Sequence, residues 1–108
     1  MQRSTINTIL RDADAFIRRH GFHLPPFAYW APELWQEKGP EVAEIFQKRL
    51  GWDITDFGQG DYAKCGLFLF TIRNGDVADL PRGRGKLYAE KLLIVDVDQI
   101  TPLHFHWL

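Results

Sequence analysis

The sequence predicts helices in the first half of the chain and antiparallel strands in the second, an α+β or mostly β architecture. Apolar residues recur at helical spacing before Gly51, and prolines and glycines separate the helical segments. After Gly51 the period changes to the alternation that is typical of strands, most clearly in Leu67–Arg73. The chain has 108 residues, 45% of them hydrophobic, which is enough for one domain with a core.

The first predicted helix covers residues 4–20. Ser4 is a favourable N-cap, and Gly21 supplies the C-terminal stop after a basic last turn. Residues 22–30 follow, with two adjacent prolines among several aromatic side chains. Because proline disfavours the helix interior and restricts the residue before it, we expect an extended connector there.

Two shorter helices and four strands complete the prediction. Pro32 and Pro40 each suit the first position of a helix, and the second of these helices is expected to end at Gly51 with Phe46 on its apolar face. Asn74-Gly75 is a turn signal after the second strand. Four short strands leave a sheet with an open edge, since a closed barrel needs more strands. They cover residues 52–57, 67–73, 87–95 and 100–107.

Composition excludes several classes of function. Thirteen basic and fourteen acidic residues give a net charge of −1, without the basic stripe of a nucleic-acid-binding protein. No segment reaches the ~18 apolar residues of a membrane span, and the N-terminus lacks a signal peptide. Cys65 is the single cysteine, so no intrachain disulfide can form, which fits a reducing compartment. We expect a cytoplasmic protein without nucleic-acid or membrane partners.

The last predicted strand contains two histidines that flank one apolar residue. Alternation along a strand puts His104 and His106 on one face and Phe105 on the other. Two imidazoles at this spacing suit a metal such as Mn, Fe, Ni or Zn, but a catalytic metal site usually needs a third protein ligand. On spacing alone, two histidines that face solvent or form local hydrogen bonds are the favoured interpretation, because this short pattern is common.

Two further groups of residues are candidates for sugar chemistry. Alternation places Lys91 on the opposite strand face from Glu90, where it could hold a sugar hydroxyl or transfer a proton; a solvated lysine is the alternative. Trp30, Trp35 and Trp52 could stack on sugar rings, although packing in a core or interface is the commoner role of such residues.

Four segments together resemble the D-lyxose isomerase family, over nearly the whole chain and in the family's order. They are residues 22–30 (FHLPPFAYW), 50–58 (LGWDITDFG), 88–91 (YAEK) and 101–107 (TPLHFHW). The resemblance implies a mostly β, cupin-like barrel with N-terminal helices. Residues 1–108 would form a single domain, with a helical part over 1–51 and the first strands of the barrel over 52–108.

The resemblance also implies an activity and a site. Family members are metal-dependent aldose–ketose isomerases that move hydrogen between C1 and C2 of a sugar through a cis-enediol. Their metal, usually manganese, is held by three histidines and a glutamate, and His104 and His106 match two of these histidines. Lys91 matches a lysine of the family's active site and is the expected catalytic residue. The implied substrate is a sugar, D-lyxose in exchange with D-xylulose, and the implied assembly is a homodimer.

The matched segments correspond to roughly the first half of such an enzyme. The glutamate ligand and the third histidine would follow His106, and neither is present in these 108 residues. We therefore expect a truncated chain that is inactive alone and self-associates through its open sheet. The alternatives are a sugar-binding or regulatory cupin without catalysis, and an inert structural fragment.

Overall fold

The structure, a computed structural model, describes residues 1–104 and mixes helices with one three-stranded sheet. Three short 3-10 helices lie at Pro26–Tyr29, Pro40–Val42 and Val77–Arg82. The mixed composition and the order of elements confirm the predicted helices-then-strands arrangement, whereas the cupin barrel stays a prediction. The α-helices are α1 (Arg3–Arg19), α2 (Pro32–Glu37) and α3 (Ala43–Gln47), and the strands are β1 (Gly51–Thr55), β2 (Leu67–Arg73) and β3 (Glu90–Ile94).

The sheet has the order β1-β2-β3 and is antiparallel, so β2 is its central strand. Phe68 and Phe70 on β2 are the largest fully buried side chains. The chain divides into two compact units, which are described separately below. The first unit contains residues 1–23, 53–69 and 93–104, and the second contains residues 24–52 and 70–92.

In the first unit, α1 buries Ala13 and Ile17, four residues apart on one helix face. The predicted N-cap Ser4 is wrong by two positions, because the helix begins at Arg3 and Gln2 is the flanking residue. The predicted stop is confirmed. Gly21 has a φ of 73°, and the next N–H donates to the Ile17 carbonyl at 3.2 Å, as in a Schellman motif.

A cavity of about 310 Å³ also belongs to the first unit, between apolar residues of α1 and the buried Phe68. Tyr62 and Gln99 lie at its margin, where the Gln99 side-chain amide donates to the Tyr62 carbonyl at 2.6 Å. Burial raises the pKa of the Tyr62 phenol above its usual value of 10, and the Gln99 side chain partly offsets this effect.

The predicted fourth strand over residues 100–107 is wrong for its described part. Ile100 forms one isolated parallel bridge with Cys65, and residues 101–104 are not in a strand. Pro102 has no N–H to donate to a ladder, and its carbonyl lies 2.9 Å from Nδ1 of His104. A local side-chain bond thus takes the acceptor that a neighbouring strand would use. Residues 105–107 lie outside the described residues.

The second unit is built around aromatic side chains. Phe70, fully buried, stacks on Phe27 at 5.6 Å between ring centroids and meets the edge of Trp52 at 5.0 Å. The expected extended connector is wrong for Pro26–Tyr29, which form a 3-10 helix, because a proline with no N–H to satisfy suits a first helical turn. The Trp52 indole N–H then donates to the Ala28 carbonyl at 2.9 Å and fixes this turn.

The predicted helix over residues 40–50 is divided in two. A 3-10 turn leads into α3, which ends at Gln47, and the chain reverses at Arg49 rather than at Gly51. Phe46, expected on the buried face, is 65% exposed. Helix α2, by contrast, begins at Pro32 as predicted.

Polar contacts hold the segment after β2 in the second unit. Asp76 accepts from the Ala78 N–H at 3.0 Å and caps the 3-10 helix Val77–Arg82. Lys48 lies 3.8 and 3.6 Å from carboxylate oxygens of Asp76 and Asp79. Gly75 is needed for close approach, since a Cβ there would collide with the backbone carbonyl of Lys86. Strand β3 begins at Glu90, three residues after the start predicted from the sequence.

Among residues 1–104, no helix has both the length and the apolar character that crossing a membrane requires.

Candidate functional site

Lys91, the expected catalytic residue, lies in the second unit as the second residue of β3. Its side chain is exposed, and within residues 1–104 it has neither a hydrogen-bond nor an ion-pair partner. Neighbouring Glu90 is engaged, because its carboxylate accepts from the Arg73 guanidinium at 2.6 Å. Successive side chains on a strand point to opposite faces, so this ion pair leaves Lys91 on the other face. The predicted alternation of Glu90 and Lys91 is thus present.

An apolar residue shares the strand face of Lys91. Leu93, two positions after Lys91 in β3, is 55% exposed. Its neighbours in the strand, Leu92 and Ile94, are half-buried. Tyr88 and Ala89, which fall within the strand predicted over residues 87–95, precede the first residue of β3. The strand alternation therefore puts Lys91 on the same side of β3 as one exposed leucine.

His104 lies in the first unit and is exposed. Its Nδ1 is 2.9 Å from the Pro102 carbonyl oxygen. A proton on Nδ1 that is donated to this oxygen leaves the lone pair on Nε2, the tautomer that a metal-ligating histidine adopts when a backbone carbonyl orients it. His106 lies outside the described residues, so the shared strand face of the two histidines stays a prediction.

The described residues do not by themselves form a metal centre. No three His, Cys, Asp or Glu side chains within residues 1–104 come together in a way that could hold a metal ion. Only one of the two expected histidine ligands, His104, is among them. The Nδ1 of His20 lies 2.9 Å from the Phe16 carbonyl oxygen, at the end of α1.

A second candidate site is a cavity of about 320 Å³ in the second unit, called the aromatic cavity below. Edge-to-face contacts connect the aromatic rings of its wall, with 4.8 Å between the centroids of Trp30 and Trp35 and 5.3 Å between those of Trp35 and Phe46. The three tryptophans proposed as sugar-stacking candidates all line this cavity, with Phe27, Phe46 and Arg49 among the other lining residues.

Sequence reasoning missed Arg49. Its backbone has a φ of 55°, a left-handed conformation that is uncommon for a residue other than glycine, asparagine or aspartate. Glycine two positions later, at Gly51, was the stronger signal for a helix end and drew the prediction there. The pattern offered no sign that an arginine takes the reversal and lines an aromatic cavity.

Known proteins match this chain over the four segments that carry the resemblance. The family model of D-lyxose isomerase matches residues 1–108. A D-lyxose/D-mannose isomerase from Serratia proteamaculans is 44% identical over 108 residues, which are 99% of this chain and 46% of that protein. A protein of the same name from Escherichia coli O157:H7 is 46% identical over 108 residues, 99% of this chain and 47% of its own length.

The chain thus spans about half the length of the curated relatives it matches, and the match lies in their N-terminal portion. The match reaches all four segments that suggested the resemblance, including the one that carries Lys91 and the one that carries both histidines. The chain belongs to the D-lyxose isomerase family.

Proposed function

We propose that this chain contributes to an aldose–ketose isomerase that interconverts D-lyxose and D-xylulose. The family match over residues 1–108 is the observation that carries the proposal, and the relatives are named for D-lyxose and D-mannose. Because the relatives are about twice as long, the activity would belong to an assembly in which further polypeptide completes the site.

Lys91 is the proposed catalytic residue. A strand fixes its backbone, and its ammonium makes no contact with an acidic group within residues 1–104 that would compete with a substrate. A lysine in this position can donate a hydrogen bond to a sugar oxygen and transfer a proton as hydrogen moves between C1 and C2. The Arg73–Glu90 ion pair at the start of the same strand supports its position.

We also propose a divalent metal site, for manganese, at His104 and His106. The Nδ1 contact of His104 with its own chain at Pro102 supports this, since it sets the tautomer and the ring orientation. The remaining ligands would come from outside residues 1–104.

The proposed assembly is a homodimer in the cytoplasm. Exposed apolar side chains in and after β3 favour association, with Leu93 at 55% and Val95 at 53% exposure. A single cysteine is typical of a reducing compartment.

Conversion of D-lyxose to D-xylulose tests the proposal. We would incubate the 108-residue chain with Mn²⁺ and D-lyxose, alone and together with a polypeptide that supplies the rest of the Serratia relative. Product formation would be followed by NMR. We expect turnover in the mixture and none with the chain alone, where the metal would stay mostly hydrated. Absence of turnover in both samples would refute the isomerase proposal.

Single-residue variants test which side chains contribute to turnover. In the active mixture, Lys91→Met and His104→Asn should each reduce turnover by about 100-fold or more, the scale of a lost general acid or metal ligand. Lys64→Met changes another exposed lysine and is the matched control, with turnover expected to be unchanged. Equal losses in Lys91→Met and Lys64→Met would show that lysine removal acts through folding or solubility.

A further inference from the structure

Arg49 occupies a backbone position that favours glycine. Its N–H donates to the Phe46 carbonyl at 3.2 Å, and the Leu50 N–H donates to the Ile45 carbonyl at 3.0 Å. This pair of bonds ends α3 in a Schellman motif, whose left-handed residue is usually glycine. An arginine with a φ of 55° there is strained, and such residues cluster at functional sites.

The side chain at this strained position has no structural partner. Among residues 1–104, the Arg49 guanidinium makes no hydrogen bond and no ion pair, and the residue is exposed. It nevertheless lines the aromatic cavity. Within residues 1–104, neither helix capping nor a salt bridge therefore accounts for an arginine at this position.

The lining of the cavity defines the chemistry of a ligand that it could bind. Indole and phenyl faces pack against the C–H face of a sugar ring, and a guanidinium carries five N–H donors for hydroxyl oxygens. A purely apolar group would bury the guanidinium without an acceptor, at a cost in free energy. The Lys38 ammonium lies 4.4 Å from the centroid of the Trp30 ring and covers one face of that indole, and a free anion would leave the Trp35 ring unused.

We propose that the aromatic cavity binds a monosaccharide, with Arg49 donating hydrogen bonds to its hydroxyls. The volume of about 320 Å³ is at the low end of the roughly 300–1,000 Å³ of small-molecule sites, which favours one sugar ring over a longer chain. The choice of a sugar rests on the proposed function, whereas the site itself requires neither Lys91 nor a metal.

Binding is tested by tryptophan fluorescence of the 108-residue chain in EDTA, titrated with D-lyxose, D-mannose and inorganic phosphate. We expect saturable quenching by a sugar and none by phosphate. Arg49→Ala and Arg49→Gly should each weaken sugar binding by about tenfold or more, the scale of a lost charged hydrogen bond. Arg19→Ala, at an exposed arginine of α1, is the control and should bind as the parent chain does.

Stability separates the two Arg49 variants. Arg49→Gly relieves the left-handed strain and should raise Tm by about 4 °C, whereas Arg49→Ala retains the strain and should not raise it. A more stable Arg49→Gly chain that no longer binds sugar would show that the arginine serves the ligand. No response to either sugar, or unchanged binding in both variants, would overturn the proposal. Because EDTA removes metal and no turnover is measured, this result is independent of the isomerase assay.

Discussion

Truncation of Phe70 tests the aromatic core of the second unit. The side chain is 0% exposed and contacts Phe27 and Trp52, at 5.6 and 5.0 Å between ring centroids. A buried aromatic side chain removes roughly 150–250 Å² from water, so its transfer contributes about 4–6 kcal/mol at ~25 cal/mol per Å². The methyl group of alanine recovers part of this, and the cavity left behind adds a cost. We expect Phe70→Ala to lower the free energy of unfolding by about 3–5 kcal/mol.

Urea denaturation followed by circular dichroism measures this loss. Phe46→Ala is the matched control, because Phe46 is 65% exposed and meets the edge of Trp35 at 5.3 Å. We expect it to cost about 1 kcal/mol or less. Small domains are stable by only about 5–15 kcal/mol, so Phe70→Ala can unfold completely; Phe70→Leu, at about 1–2 kcal/mol, keeps the comparison measurable. A Phe46 variant that loses as much stability as either Phe70 variant would refute the assignment of the core.

Three further predictions concern single groups. Gly75→Ala should lower the free energy of unfolding by about 1–3 kcal/mol in urea, because its Cβ meets the Lys86 carbonyl; an unchanged midpoint would contradict this close approach. Trp52→Phe should cost about 1–3 kcal/mol, since the Ala28 carbonyl loses its 2.9 Å donor, and a loss below about 0.3 kcal/mol would argue against that bond. The Tyr62 phenol, whose pKa burial raises, should ionise above pH 10 in absorbance at 295 nm. Because its folded pKa exceeds the unfolded value, it contributes stability below pH 10 that is lost as the pH rises further. Tyr62→Phe should remove the ionisation step above pH 10 from the absorbance titration. If that step remained, it would belong to another tyrosine.

Strong local patterns predicted the fold where one physical effect dominates. The alternating, aromatic-rich Leu67–Arg73 is a strand with the predicted bounds, because burial of Phe68 and Phe70 requires a period of two. Gly21 ends α1 as expected, because it adopts the left-handed φ that terminates a helix and that glycine takes without strain.

Predictions failed where a local bond competed with the pattern. Residues 100–104 alternate like a strand, yet the carbonyl of Pro102 is engaged by His104 within the same segment. Arg49 replaces glycine at a helix end, which no propensity scale favours. Lys91 lies in a strand as predicted, but its exposure depends on what covers that strand, and local sequence carries no information on this.

The setting of Lys91 gives an independent reason for the inactivity expected of the chain alone. At 4 Å, two unit charges interact by about 1 kcal/mol in water and about 4 kcal/mol at an effective dielectric constant of 20. Because the Lys91 side chain is exposed, its interactions have the strength expected in water. Covering this face of β3 would move them toward the second value, since excluding water strengthens the interaction with a developing oxyanion. Covering Lys91 would therefore strengthen the interaction that we propose between its ammonium and a sugar oxygen.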